Sequence, residues 1–313
     1  MRRKNKTEVW EFILLGFSDH PGLEPLLFTI VFFIYVVTLL TNMVILVLAI
    51  ADPHLHTPMY FFLRHLAFLN LCYTTTVVPK MLSNLISTKK TISYHLCIAQ
   101  TYISLFLGAA ECVLLAVMAF DRYVAVCHPL RYTTIMNYHI CVKIAAVSWT
   151  ISFLVSVVPL FLTLPPLCEP YVINHIFCEA PVLLHMICTD TSLNELLMLI
   201  GGAGTLMLPF VLVLVSYGYI IGAIIRIRST EGRRKAFSTC SSHLTVVTIY
   251  YGTGMFMYMR PKSSYSPEND KLISVFYAVI NPMLNPIIYS FRNKEFKASL
   301  MRNFRWNTLS KAH

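Results

Sequence analysis

Two short stretches of this 313-residue sequence carry side chains whose types and spacing could do chemistry. Glu111 is an acid in the middle of a long apolar run, where an ionised carboxyl is costly unless it is partnered or protonated. Farther along the same run, Asp121 and Arg122 place an acid beside a base. Such neighbours form a local ion pair at a water boundary, and breaking that pair would free a cation for a partner.

Signatures of enzymes are absent from the sequence. It contains no nucleophile elbow, zinc-protease helix motif, P-loop or dinucleotide fingerprint. His175 and Cys178 have metal-binding side chains, but a loop histidine beside a disulfide-forming cysteine is the commoner arrangement. We therefore expect no catalytic residues, no cofactor, no metal site and no nucleic-acid partner.

The composition indicates a membrane protein. Hydrophobic residues make up 56% of the chain and charged residues 13%, whereas soluble domains carry about 25% charged residues. So little charge cannot cover the surface of a soluble protein, and so much apolar content excludes a disordered chain. The apolar residues come in long runs, which is typical of membrane helices.

Seven apolar stretches are long enough to cross a bilayer, which needs about 20 helical residues. They cover residues 24–50, 58–80, 95–127, 139–164, 194–226, 236–259 and 271–291. In the last stretch, polar residues recur every three or four positions along one helical face, and a strict hydropathy criterion would miss it. The sequence predicts an all-α membrane protein, a bundle of seven transmembrane helices over residues 24–291.

The basic residues orient this bundle. Residues 163–225 contain no Lys or Arg, so the long loop among them is expected outside. Asn5 lies in the chain's only glycosylation sequon, which is usable only if the N-terminus is lumenal. We expect an extracellular tail at 1–23. Residues 292–313 should form a cytoplasmic tail with a short amphipathic helix, facing anionic membrane lipid.

Nine cysteines divide between the two sides of the membrane. In this orientation the four on the oxidising outer side are Cys97, Cys168, Cys178 and Cys188. Four cysteines allow three connectivities, and spacing alone does not select one of them. The other five are expected to be packed or reduced thiols.

Four longer strings are more specific than Asp-Arg-Tyr alone. They are LHTPMYFFL at 55–63, MAFDRYVAVC at 118–127, KAFSTCSSHL at 235–244 and PMLNPIIYSFRN at 282–293. Together they resemble an olfactory (odorant) receptor of the rhodopsin-like G-protein-coupled receptors, over essentially the whole chain. The short N-terminus and the loop pattern resemble the tetrapod-type class.

This resemblance implies a signalling mechanism. Arg122 would engage a heterotrimeric G protein of the stimulatory olfactory type, which raises cyclic AMP. The residues implied in this switch are Asp121, Arg122, Tyr123, Tyr217 and Tyr289, of which the last two would restrain Arg122 in the active state. The family pattern also implies a multi-pass plasma-membrane protein of olfactory sensory cilia. It pairs Cys97 with Cys178, and Cys168 with Cys188.

Two positions depart from the family pattern. Thr41 stands where glycine is usual, and Asn70 stands where an aspartate is usual. The polar cluster implied in mid-membrane consists of Asn42, Asn70, Glu111 and Asn285. The missing carboxylate puts a sodium site there in doubt, and we expect Glu111 either to bind sodium weakly or to be protonated.

A ligand cavity in such a bundle should lie two to three helical turns inside Cys97. The residues expected to line it are Ser104, Leu105, Gly108, Ala109, Gly202, Thr205, Tyr251, Gly254, Met255, Tyr258, Val275 and Ala278. None of them carries a charge, so we expect a small, neutral, mostly apolar volatile odorant. A hydroxyl of Ser104, Thr205 or Tyr258 would meet its oxygen. Tyr258 is the preferred candidate because its side chain is the longest.

Two other functions fit parts of this pattern. A rhodopsin-like receptor for another small ligand would share the bundle; an amine receptor, however, would want an aspartate in the outer half of the third span, where Ser104 and Leu105 stand. A seven-helix transporter would usually show internal repeats or several paired intramembrane charges. A cyclic AMP response, as opposed to solute uptake, separates the receptor from the transporter.

Overall fold

The computed structural model describes residues 11–163, 169, 171–259, 266–292 and 294–309. Its helices are α1 Glu24–Ala51, α2 Pro58–Ile86, α3 Tyr94–Cys127, α4 Tyr132–Ile135, α5 Tyr138–Thr163, α6 Ala180–Leu184, α7 Ser192–Gly202, α8 Leu208–Arg226, α9 Thr230–Tyr258, α10 Pro267–Val275, α11 Asn281–Arg292 and α12 Lys294–Leu309. A π-helical turn at Ala203–Met207 joins α7 to α8, and another at Phe276–Ile280 joins α10 to α11. Over the described residues, each stretch predicted to span the membrane is therefore helical along nearly all of its length.

Six helical segments of the described chain are long and apolar enough to cross a membrane. They are Pro21–Ala51, Pro58–Ile86, Tyr94–Cys127, Tyr138–Val158, Ser192–Arg226 and Pro267–Tyr289. We expected the last stretch to miss a strict hydropathy criterion for a membrane span. This expectation was wrong, because the mean hydropathy of the segment is 1.5. Among the described long helices, α9 is the one that does not meet the hydropathy criterion, because its first turns are charged and rich in hydroxyl groups. It nevertheless packs against α3, α8 and α11.

The helices pack around α3, which contacts α2, α5, α8 and α9. Sixteen residues of α3 are buried, among them Glu111 and Asp121. Because α3 lies at the centre of the bundle, its polar side chains are buried together with its apolar ones.

A small sheet beside the N-terminal end of α3, the side predicted to face outward, departs from the all-α prediction. Its central strand is β1 (Glu11–Leu14), which pairs antiparallel with β2 (Thr91–Ser93) and parallel with β3 (Val172–Ile173). Phe12 and Leu14 are buried, while Glu11 and Ile13 are exposed. The expected 1–23 tail is therefore partly a strand. Its period-two pattern covers four residues, which is too short to identify a strand without its partners.

One disulfide on this side confirms a prediction. Cys97, at the start of α3, is bonded to Cys178, with the two Cα atoms 5.3 Å apart. Both cysteines are fully buried beneath the sheet with Phe12 and Leu14. Cys188 is also disulfide-bonded, but Cys168 lies outside the described residues, as does Asn5. The pairing of Cys168 with Cys188 and the glycosylation of Asn5 stay predictions.

The helix α12 lies against the loop between α1 and α2. Arg302 Nη2 donates to Asp52 Oδ2 at 2.7 Å, and Asp52 is itself buried. Phe296 and Ser299 are buried on the same helix, whereas Met301 is exposed. This ion pair and the buried Phe296 fix the direction in which the chain leaves the bundle.

Candidate functional site

A cavity of about 140 Å³ lies between the outer halves of the helices. Its wall comes from α2, α3, α5, α6, α7, α9 and the two π-helical turns. Of the residues expected to line it, the structure places eight in the wall: Ser104, Leu105, Gly108, Ala109, Gly202, Thr205, Gly254 and Tyr258. The predicted cavity therefore exists as a connected space, and ligand binding by these residues stays a prediction.

Four expected residues do not line this cavity. Tyr251 is fully buried and donates its hydroxyl to the Cys112 carbonyl oxygen at 2.6 Å. Met255 packs against the core, as does Val275. Ala278 is fully buried within the second π-helical turn.

On both helices the lining face differs from the predicted one. On α9 the wall residues are Tyr250, Thr253, Gly254 and Tyr258. Gly254 and Tyr258 therefore stay on the lining face, which turns toward Tyr250 and Thr253 and away from Tyr251 and Met255. After α10 the π-helical turn adds a residue, so an α-helical periodicity misplaces the side chains beside it. Tyr277 lines the cavity there instead of Val275 or Ala278.

Other wall residues were missed because nothing local marks them. They include Tyr73, Glu111, Cys112, Val155, Ser156, Ala180, Leu184, Asn194, Leu197, Met198 and Leu206. Ala180 and Leu184 belong to α6, which follows Cys178 closely. The Cys97–Cys178 bridge thus ties part of the cavity wall to α3.

Glu111 corrects the expectation that the cavity is lined without acidic or basic side chains. This residue is 4% exposed and lines the cavity, and Asn285 Nδ2 donates to its Oε1 at 2.9 Å. The acid was assigned to a polar cluster on sequence grounds, and its second role at the cavity was overlooked.

Hydrogen bonds link the four residues of the expected polar cluster in two pairs. Asn70 Nδ2 donates to Asn42 Oδ1 at 3.1 Å, and Asn42 Nδ2 donates to the carbonyl oxygen of Pro282 at 3.0 Å. Asn285 and Glu111 form the second pair. A single carboxylate with one amide donor is a poor match for sodium, which prefers several converging oxygens.

Replacing sodium with choline in the assay buffer is therefore expected to change agonist potency little. One carboxylate already engaged by an amide has little affinity left for a monovalent cation. Agonist concentration–response curves in matched sodium and choline buffers measure this. A strong sodium dependence that disappears in Glu111→Gln would contradict the prediction.

Above the cavity, a buried polar cluster joins the outer loop to α10. Burial lowers the pKa of His175 to about 4, so its ring is neutral at physiological pH. Its Nδ1 lies 3.1 Å from the Phe177 carbonyl oxygen, and its Nε2 lies 3.1 Å from both Ser274 Oγ and Glu179 Oε1. Tyr277 donates its hydroxyl to Glu179 Oε2. Since Tyr277 also lines the cavity, this cluster connects the cavity wall to the loop.

At the inner end of α3, Arg122 is held by its neighbour. Its Nε donates to Asp121 Oδ2 at 3.0 Å, and its Nη2 donates to the same oxygen. Tyr132 donates its hydroxyl to Asp121 Oδ1 at 2.7 Å. Asp121 is 1% exposed and Arg122 is 15% exposed. A partner must therefore break a largely buried ion pair to reach this guanidinium.

The remaining residues of the predicted switch lie close by. The Tyr217 hydroxyl is 2.7 Å from His243 Nδ1, and the two rings stack. The Tyr289 hydroxyl is buried without a hydrogen-bond partner in the described part of the chain. Tyr123 Oη lies 3.1 Å from His128 Nε2. No hydrogen bond among the described residues joins Tyr217 or Tyr289 to Arg122, and their active-state roles stay predictions.

Long apolar helices around a buried cavity, with a loop tethered to α3 by a disulfide, are the features of a multi-pass membrane protein with an internal cavity. The family model described as "Olfactory receptor" matches residues 31–306. Human Olfactory receptor 2G3 is 49% identical over 299 residues, which cover 95% of this chain and 97% of the relative. Human Olfactory receptor 2C3 is 51% identical over 290 residues, covering 92% and 91%. Human Olfactory receptor 2A12 is 50% identical over 299 residues, covering 95% and 96%.

The chain belongs to the olfactory receptor family. This is a family of G-protein-coupled receptors that are not enzymes, and its ligands are odorants. The expectation that the protein is not an enzyme is thereby confirmed.

Proposed function

We propose that this receptor binds small, neutral volatile molecules in the cavity described above and activates a stimulatory olfactory-type G protein, which raises cyclic AMP. In this proposal seven helices cross the membrane, α9 among them, with the N-terminus outside and α12 along the inner leaflet. The receptor would work at the plasma membrane of olfactory sensory cilia.

The observation that carries the ligand class is the chemistry of the cavity wall. Most of its side chains are apolar or small, and several of its hydroxyls are already bonded to backbone. Thr205 donates to the Gly201 carbonyl at 2.7 Å, and Tyr250 donates to the Gly108 carbonyl at 2.8 Å. Among the described wall residues, Glu111 is an acid and there is no Lys, Arg or His, so a carboxylate ligand would find no cationic partner. An anionic ligand would therefore lose its hydration without compensation, and a cationic one would find only Glu111, which already accepts from Asn285. A neutral ligand loses little hydration.

The inner end supports coupling to a G protein. Arg122 is pre-positioned by Asp121 and Tyr132 at the end of α3. The segment that begins α9 contributes Arg233 and Arg234, both exposed. A cyclic AMP reporter in transfected cells, screened against a broad panel of volatiles, tests the whole proposal. Chiefly amine or carboxylate agonists would contradict the ligand class.

Tyr258→Phe is expected to weaken oxygenated agonists more than hydrocarbon-like ones. The change removes one hydroxyl from the wall and keeps the ring, and a lost hydrogen bond costs about 1 kcal/mol, or roughly fivefold in potency. Concentration–response curves for matched alcohol and alkene pairs measure the effect.

Thr253→Val is the matched control for this variant. Thr253 also lines the cavity, but its hydroxyl bonds to the carbonyl oxygens of Ile249 at 2.9 Å and Tyr250 at 3.0 Å. Both variants should reach the cell surface normally. Equal responses of Tyr258→Phe and the parent receptor to every agonist would remove Tyr258 from the ligand site.

A further inference from the structure

Three tyrosine side chains line the cavity from three different helical segments. Tyr73 lies on α2, Tyr258 at the end of α9 and Tyr277 in the second π-helical turn. The hydroxyl groups of Tyr73 and Tyr258 both interact with the hydroxyl group of Tyr277. Tyrosine hydroxyls from all three segments therefore meet at one place in the cavity wall.

The hydroxyl of Tyr277 is already engaged at this place. It donates its hydrogen to Glu179 Oε2, and it accepts from Ser274 Oγ at 3.4 Å. Glu179 is 2% exposed, and its other oxygen lies 3.1 Å from His175 Nε2. The buried polar cluster above the cavity thus holds Tyr277 in position, and Tyr277 has no hydrogen left to donate to a ligand.

The hydroxyls of Tyr73 and Tyr258 are less well satisfied. Neither makes a hydrogen bond of normal geometry to a described residue, and each contacts Tyr277 only loosely. Both oxygens keep accessible surface on side chains that line the cavity, unlike Ser104 Oγ, which is enclosed. A tyrosine hydroxyl keeps its hydrogen at physiological pH. Each of the two is therefore a donor that faces the cavity and lacks a good acceptor.

The other hydroxyls of the wall offer no such donor. Thr205, Thr253 and Ser156 each donate to the carbonyl oxygen four residues earlier in the chain. Tyr250 donates to a carbonyl oxygen of α3 at 2.8 Å. Two tyrosines, one on α2 and one on α9, are thus the free hydroxyl donors among the described wall residues.

We propose, building on the odorant-receptor function above, that Tyr73 and Tyr258 form a two-donor site for a carbonyl oxygen, and that small ketones and aldehydes are the preferred ligands. A carbonyl oxygen has two lone pairs and accepts one hydrogen from each tyrosine. It brings no hydrogen of its own, so every donor at the site is paired. An alcohol brings one further hydrogen, so one hydroxyl hydrogen stays without a good acceptor, which is costly in a buried wall.

Three compounds with the same carbon chain test the ligand class in the cyclic AMP assay. They are a methyl ketone, the 2-methyl-1-alkene in which a CH₂ group replaces the carbonyl oxygen, and the 2-alkanol. The ketone and the alkene have nearly the same shape, so their potency ratio reports the hydrogen bonds to the oxygen. Two such bonds, each worth roughly fivefold, predict a ketone that is about 25-fold more potent than the alkene. The alcohol should fall between them.

Two variants test the two donors, and a potency ratio measured within one variant cancels changes in expression. Tyr73→Phe and Tyr258→Phe should each lower the ketone-to-alkene ratio about fivefold, and the double variant should bring it close to one. Tyr35→Phe is the matched control. Its hydroxyl donates to Thr75 at 3.4 Å, and it lies on α1, which contributes no described residue to the wall. This control should leave the ratio unchanged.

An unchanged ratio in either single variant would overturn the two-donor site. So would an alcohol at least as potent as the ketone on the parent receptor, a comparison that needs no variant to reach the cell surface. In either case, neutral volatiles that still raise cyclic AMP would leave the odorant-receptor function standing. Failure of the broad volatile panel would instead contradict that function itself.

Discussion

Arg122→Ala is expected to reduce the cyclic AMP response to background while surface expression stays normal. Asp121 and Tyr132 hold the guanidinium at the inner end of α3, where it is 15% exposed and ready to exchange partners. Removing it takes away the cation that a G protein would bind, and truncating one member of a desolvated charge pair at an interface costs several kcal/mol. Agonist-stimulated cyclic AMP and surface immunostaining, measured in the same cells, check this result.

Arg131→Ala is the matched control, because Arg131 is an exposed arginine just beyond α3. It should signal almost normally. Asp121→Asn should raise basal signalling, since it weakens the ion pair that occupies Arg122. If Arg122→Ala instead lowered surface expression together with signalling, Arg122 would be an anchor of the helix end. A variant that reached the surface and signalled normally would remove Arg122 from the coupling mechanism.

Cys97→Ser and Cys178→Ser are each expected to abolish surface expression. The bridge closes a loop of 81 residues, for which chain entropy predicts about 4.5 kcal/mol of stabilisation. That is comparable with the whole stability of many proteins. Surface staining in cells and thermal unfolding of detergent-purified receptor measure the loss.

The double variant tests whether the bond itself is responsible. Both single variants and the double variant remove the same bond, so their effects should be equal and not additive. Cys127→Ser serves as control, because Cys127 is a free, half-buried thiol. Rescue of surface expression in the double variant would show that an unpaired thiol, rather than the lost bridge, causes the defect.

The helices could be predicted because a membrane span needs a minimum length of apolar residues, and that length can be read directly from the sequence. Their ends were less certain: α2 continues through Pro79 to Ile86, six residues past the predicted end. Neighbouring helices re-satisfy the backbone groups that a proline frees in a bundle, so a proline there does not mark a boundary.

The cavity was predicted well on α3, half correctly on α9 and wrongly beside the second π-helical turn. Ser104, Leu105 and Gly108 follow the α-helical period of α3 and line the cavity. Tyr277 could not be found in this way, because the π-helical turn at Phe276–Ile280 changes the period locally. The polar cluster of His175 and Glu179 with α10 depends on how a loop folds back over the bundle, which no local pattern encodes.

The central position of β1 in the outer sheet sets an order of events during synthesis. Phe12 pairs with Ile92, and Ile13 pairs with Val172, so its partner strands follow it along the chain by about 80 and 160 residues. The ribosome makes β1 first, yet one of its edges stays unpaired until β2 has been made and the other until β3 has been made. During that interval the nascent chain carries an open strand edge, which is a site where strands of other chains could pair. The outer sheet therefore cannot be completed until slightly more than half of the polypeptide has been translated.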